Sequence, residues 1–329
     1  RRRLAAVAGC LPEELVFTSG GTEAVNLACQ GGARAVRRPR VLLTAIEHPA
    51  AREAVRLLER DGITAETIPV DREGLVDEEA LEGLLGGDVG LVSIIHGNNE
   101  VGTIQRLARL AARIRRGAPG ALIHTDAVQT FGRIPVPLAA VDLASITAHK
   151  LGGPRGAGAL YVRRGVRLVP LLGGGDQEGG RRPGTQDVAG ATGLAKAAEL
   201  AWGSREALAG HHEELRRRLV TALLREIPGA SINGPEAPPL RLPGILSLRV
   251  PGVRSQNLLH FLEAGGVHAS AGAACHSSSQ RPSHVLAALG LAEGAGTVRL
   301  SLGPGSDATE VDEAAARIAE QVRRLRESS

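Results

Sequence analysis

The sequence predicts an α/β protein, a doubly wound and mostly parallel sheet followed by a smaller α+β C-terminal unit. Two observations predict it. Short β-rich runs alternate with helix-period segments from Leu15 to about Val162, and beyond a Gly-rich stretch at 173–184 the pattern changes to long helices with few strands. In the first part, runs 16–18, 41–45, 63–69, 89–95, 121–125, 141–146 and 158–162 read as strands. Helices fall between several of them, such as 49–60 with Pro49 in its first turn and 77–85 with Asp77 as N-cap. After the Gly-rich stretch the spacing predicts a helix over 187–202 and a charged one over 204–225. Strand 245–250, helix 255–264, a small-residue loop 271–281, strand 297–302 and a last helix from Asp307 complete the chain. The expected division is a large domain over 1–203 and a small one over 204–329.

Composition excludes several classes of function. The 329 residues suffice for two cores, and 39 basic against 35 acidic residues leave +4 without a basic stripe, which argues against a nucleic-acid partner. No apolar run approaches the roughly 20 residues of a membrane helix. Cys10, Cys29 and Cys275 are an odd number without CxxC spacing, so neither a disulfide framework nor a structural zinc site is expected, and a reducing, cytoplasmic setting is. There is no Met, and the chain opens mid-pattern at Arg1-Arg2-Arg3, which predicts that an upstream part of the natural protein precedes it.

Only Lys150 and Lys196 are lysines; arginine stands at the other basic positions. A guanidinium stays protonated and forms no Schiff base, so a site needing a deprotonatable amine has two candidates. Lys196 lies in a helical surface pattern. Lys150 does not. In open α/β sheets, ligands sit beyond the carboxyl ends of the strands. There the sequence places Ser19-Gly20-Gly21-Thr22-Glu23, then Glu47-His48, then His96-Gly97-Asn98-Asn99-Glu100, then Asp126 with Gln129, and finally Thr147, His149 and Lys150. The Gly turn opening a helix suits a phosphate.

This inventory matches what pyridoxal-5′-phosphate (PLP) requires: an amine, a carboxylate for the ring nitrogen, a donor for the phenolic oxygen, a ring to stack and a phosphate cup. Lys150, Asp126, Gln129, His48 and Gly21 with Thr22 can supply these in turn. A competing reading takes His124, Asp126 and His149 as metal ligands, since a His-x-Asp pair in a strand points to one face. It leaves Lys150 and the Gly turn without a task, and no metal is expected.

The segments Phe17-Thr18-Ser19-Gly20-Gly21-Thr22-Glu23-Ala24-Val25-Asn26, Glu47-His48, His96-Gly97-Asn98-Asn99-Glu100-Val101-Gly102, His124-Thr125-Asp126-Ala127-Val128-Gln129 and Ala148-His149-Lys150-Leu151-Gly152-Gly153-Pro154 resemble the cysteine desulfurases. These belong to the class V aminotransferase family of fold-type I PLP enzymes. The likeness continues through Ser270-Ala271-Gly272-Ala273-Ala274-Cys275 and Val298-Arg299-Leu300-Ser301-Leu302-Gly303. The resemblance implies that Lys150 forms the Schiff base, Asp126 pairs with the pyridinium nitrogen, Gln129 bonds the phenolic oxygen and His48 stacks on the ring. Gly21, Thr22, Thr147 and His149 would hold the phosphate, joined by Thr185 from a partner subunit, which implies a homodimer. Asn99, at the cofactor as well, and Arg299 would bind the substrate carboxylate. Cys275 would receive the sulfur as a persulfide, and Cys10 and Cys29 read as packing.

The resemblance thus implies conversion of L-cysteine to L-alanine, with sulfur passed to an acceptor or scaffold protein for iron–sulfur cluster assembly or thiolation. Two departures bear on this. The family's N-terminal Asn-Ala-Thr-Thr type segment has no counterpart in this sequence, and Gly179 stands where the family usually has Arg. The stretches Gly272-Ala273-Ala274-Cys275-His276-Ser277 and Arg182-Pro183-Gly184-Thr185 resemble selenocysteine lyases equally well. The alternatives are therefore a selenocysteine lyase, or a non-catalytic protein of this fold that binds a sulfur-transfer partner.

Overall fold

The computed structural model describes residues 1–236, 238–270, 283–291 and 295–327, which form two compact units. The first comprises Arg1–Val70, Val76–Gly97 and Gln105–Arg205; the second comprises Asp71–Leu75, Asn98–Ile104 and Glu206–Ser329.

In the first unit, seven strands make one sheet: β1 (Leu15–Thr18), β2 (Arg40–Thr44), β3 (Thr64–Ile68), β4 (Val89–Ile95), β5 (Leu122–Asp126), β6 (Leu143–Thr147) and β7 (Gly158–Val162). Their order is β1-β7-β6-β5-β4-β2-β3. The pairs from β6 through β3 are parallel, and only β7 runs against its neighbours β6 and β1. Alternation sorts the side chains onto two buried faces. Leu15, Leu42, Val92, Ile94, Ala159 and Tyr161 join one core, and Val16, Val41, Leu43, Leu91, Leu160 and Val162 the other. Because both faces are covered, β4 and β7 are buried at every position, and Ser93 is the one side chain with a hydroxyl inside the otherwise apolar β4. The mostly parallel α/β fold expected from sequence is the fold observed.

The second unit holds a three-stranded antiparallel sheet of order β10-β9-β8, with β8 at Ser231–Asn233, β9 at Ile245–Pro251 and β10 at Ala295–Ser301. Leu246, Leu248, Val250, Val298 and Leu300 pack with Leu219 and Leu223, with Leu258 and Leu262, and with Val311, Ile318 and Val322 from the helices. β8 carried no usable pattern, being three residues long.

One expectation is corrected. The helices predicted over 187–202 and 204–225 are one 39-residue helix, Val188–Glu226. Gly203-Ser204 reads as a break, yet the Ser204 hydroxyl bonds back to the Leu200 carbonyl at 3.0 Å instead of capping a new helix. A single glycine costs only about 1 kcal/mol in a helix, too little to end one of this length.

Candidate active site

The carboxyl ends of β1, β2, β4, β5 and β6 lie on one edge of the first sheet, where the Gly turn, Glu47-His48, His96, Asp126 and Thr147–Lys150 emerge. At the β1 end, Gly20 adopts φ 152°, a conformation open to glycine, and the chain enters the helix Gly21–Asn26. A Cβ on Gly21 would lie 2.8 Å from Val128 Cγ2 and 3.5 Å from Thr147 Cβ. The turns after β1, β5 and β6 therefore meet at this glycine. Glu23 steadies the turn: its carboxylate accepts from the Ser19 amide at 2.7 Å and pairs with Arg182 at 2.8 Å.

At the β2 end, His48 caps the helix Pro49–Arg56, its Nδ1 accepting from the Ala50 amide at 3.1 Å. Burial, and then the charge of Lys150, lower the His48 pKa, so the ring is uncharged at neutral pH. At the β5 end, Asp126 is almost fully buried, with Oδ1 accepting from the Val128 amide at 2.9 Å. Burial raises its pKa to about 6. A cation placed against it would restore the ionised form. Gln129 follows, half-buried.

At the β6 end, the Thr147 hydroxyl lies 3.0 Å from His149 Nδ1, and Lys150 sits in the 3-10 turn His149–Leu151. Its carbonyl accepts from Arg133 at 2.7 Å. Burial and the charges of Lys150 and Arg155 lower the His149 pKa. Thr22 and Thr185 are exposed, and Thr185 shares a cavity of about 120 Å³ with Thr18 and Ser19.

The second unit carries the other residues singled out from sequence. Arg299 on β10 donates to the Asn99 carbonyl at 2.8 Å and pairs through its backbone with Ser270. Its Nε is buried and makes no hydrogen bond. Glu100, buried beside Asn99, accepts from the Ser283 hydroxyl at 2.6 Å. Cys275 lies outside the described residues.

The metal reading fails at His124. This fully buried ring has Nδ1 2.9 Å from the Ser93 hydroxyl and Nε2 2.9 Å from the Ser145 hydroxyl, so it links β4, β5 and β6 across the sheet. Burial drives its pKa down to about 3. Among the described residues no cluster of His, Cys, Asp or Glu could hold a metal ion.

Sequence reasoning left three site-edge residues without roles. His96 bonds the Thr130 hydroxyl at 2.9 Å, Glu100 anchors Ser283, and Glu47 ties two strand ends together. For Glu47, its place directly after a strand and before His48 was the available signal.

The donor set fits PLP. A lysine and a neutral imidazole close enough to feel its charge stand on the same sheet edge as a buried carboxylate and a glycine turn, and the acid of that turn, Glu23, is paired with Arg182. The aminotransferase class-V family profile matches residues 1–314. The chain is 40% identical to the cysteine desulfurase IscS of Dictyoglomus turgidum over 92% of its own length and 77% of that protein. It is 39% identical to a cysteine desulfurase of Nostoc sp., covering 99% of this chain and 82% of the relative. Among solved structures, a NifS-like protein superposes with a TM-score of 0.90 at 38% identity, over 98% of this chain and 86% of that one. SspA in complex with cysteine matches with a TM-score of 0.77 at 29% identity, over 92% and 85%.

Proposed function

The chain belongs to the aminotransferase class-V family, and from that premise we propose that it is a PLP-dependent cysteine desulfurase, converting L-cysteine to L-alanine and passing the sulfur on. The observation that carries this reading is the convergence of Lys150, His48 and Asp126 on one sheet edge, with the charge states of His48 and Asp126 shifted by burial. PLP, when bound, supplies an electron sink for the bond broken at the substrate.

The chain's own residues do the rest. Lys150 holds the cofactor covalently, then, released by substrate, accepts the α-proton on its amine. Asp126 pairs with the ring nitrogen, His48 lies against the ring face as a neutral imidazole, and Gln129 bonds the phenolic oxygen. Gly21, Thr22, Thr147 and His149 receive the phosphate, with Thr185 of a second copy completing the cup in a homodimer. Asn99 and Arg299 bind the substrate carboxylate, for which the unengaged Nε of Arg299 suits a two-pronged grip. The Cys275 thiolate attacks the substrate sulfur; the carbon–sulfur bond breaks, Cys275 keeps the sulfur as a persulfide, and the carbon skeleton leaves as alanine. An acceptor or scaffold protein then takes the sulfur. No described helix is long and apolar enough to cross a membrane.

The test is alanine release by the full-length protein from L-cysteine and, separately, from L-selenocysteine. A desulfurase turns over both. Turnover of selenocysteine alone identifies a selenocysteine lyase, and turnover of neither, with no PLP bound, refutes the enzymatic reading.

A further inference from the structure

Glu47 is fully buried at the carboxyl end of β2, and nothing in the reaction above uses it. Its Oε1 accepts from the Thr44 hydroxyl at 2.7 Å and from the Ile95 amide at 2.5 Å. Thr44 ends β2 and Ile95 ends β4, adjacent strands whose ladder stops at Leu43 and Ser93. The carboxyl group thus continues the pairing where the backbones diverge, and gives the Ile95 N–H the acceptor that the ladder no longer provides. The next residue is His48, whose other side is fixed by its hydrogen bond from Ala50. The imidazole is held between a tie across two strand ends and a helix cap.

We propose that Glu47 is a positioning residue for His48, acting as a neutral hydrogen-bonding strut and not as a charge. The inference rests on the reading of His48 as the residue facing the cofactor ring. The surroundings support a neutral acid. Asp126 adds negative charge from β5, Arg52 on the helix Pro49–Arg56 acts the other way, and the buried thiol of Cys29 feels the Glu47 charge in turn. Burial above all, then Asp126, pushes the Glu47 pKa up to about 8 despite the Thr44 hydrogen bond. A neutral Glu47 leaves Asp126 as the single acid free to ionise toward a ring nitrogen. A glutamine side chain at this position presents the same carbonyl oxygen to Thr44 and Ile95.

The experiment uses the full chain with histidines isotopically labelled, His48 being assigned by its loss in His48→Gln. In the cofactor-free protein, Glu47→Gln should leave the His48 resonance and its titration midpoint at wild-type values, and PLP affinity within about twofold. Glu47→Ala should displace the resonance and weaken PLP binding about tenfold, the scale of one lost buried hydrogen-bond tie. Thr44→Val removes one of the two bonds at constant volume, and should move both readouts in the same direction by less, which keeps the proposal testable if Glu47→Ala does not fold. A shifted titration midpoint in Glu47→Gln overturns the neutral role. An unmoved His48 resonance in Glu47→Ala, or in Thr44→Val where Glu47→Ala does not fold, overturns the positioning role. If His48→Gln binds PLP as tightly as wild type, the reading of His48 fails, while the Glu47 effect on the resonance is still judged by itself.

Discussion

Replacing Gly158 by alanine presses directly on the Gly turn. Gly158 opens β7 and pairs with Thr18 of β1 on one side and Thr147 of β6 on the other, the last residues before the Gly turn and before Lys150. A Cβ there would lie 2.6 Å from the Gly20 carbonyl carbon, 2.7 Å from Gly20 Cα and 2.8 Å from the Ile146 oxygen. All three are backbone atoms, so no rotamer change relieves them, and the turn must retreat until these gaps reach ordinary contact at 3.4 Å or more. Overpacking of this kind costs about 1–3 kcal/mol, and contacts with backbone on two sides place Gly158→Ala at about 3 kcal/mol. A displacement approaching 1 Å at the phosphate cup should weaken PLP binding at least about tenfold. The assay is denaturant unfolding of the cofactor-free chain, followed through its single tryptophan, Trp202, together with PLP titration of the folded protein. Gly203→Ala is the comparison. Its Cβ meets nothing within 4 Å inside a helix, so it should stabilise by about 0.5–1 kcal/mol. If Gly158→Ala unfolds within about 0.5 kcal/mol of wild type and binds PLP equally well, the close approach of β7 to the Gly turn does not control the site.

Lys150→Arg should abolish any borohydride-fixable cofactor linkage, because the charge stays while the nucleophilic amine is lost, whereas Lys196→Arg should keep it; mass spectrometry after reduction decides. Cys275→Ala should retain PLP and lose persulfide formation, and alkylation after turnover of the wild type should find the extra sulfur on Cys275. Cys29 is fully buried, and burial first, then nearby Glu14 and Glu13, raise the Cys10 thiol to about 11, so sulfur on either would refute the assignment. The pH dependence of stability has opposing parts. His96 and His124, lowered to about 4 and about 3, give stability that is complete above their ordinary value of 6.5 and is lost as pH falls below it. Asp126 and Glu47, raised to about 6 and about 8, work the other way, each costing stability as pH rises from its ordinary value toward the raised one. Between 6.5 and 8 only Glu47 of these four still differs between the folded and unfolded chain, so wild type should lose up to about 1.4 kcal/mol per pH unit relative to Glu47→Gln. Parallel pH profiles of urea midpoints for the two proteins would contradict the raised Glu47 pKa.

By itself the sequence determined the alternation of strands and helices, and therefore which residues stand at the carboxyl ends of the strands, because helix periodicity is local and short β-rich runs such as β4 and β7 stand out between the helical segments. It also singled out Lys150, since only two lysines exist and one lies in a helical surface pattern. Tertiary structure decided what depends on residues distant in the chain. The reversed direction of β7, the binding of His124 by Ser93 and Ser145, the tie from Glu47 to Ile95 and the grouping of Asn98–Ile104 with the second unit each join segments separated by tens of residues. The pattern at Gly203-Ser204 misled for a different, local reason: one glycine costs a long helix too little to end it, and the Ser204 hydroxyl bonds the Leu200 carbonyl one turn back instead of capping a new helix. A local pattern records which face of an element is apolar; it holds no record of which other element will supply the partner for a buried polar group, and the finer chemistry of this site is built from those partners.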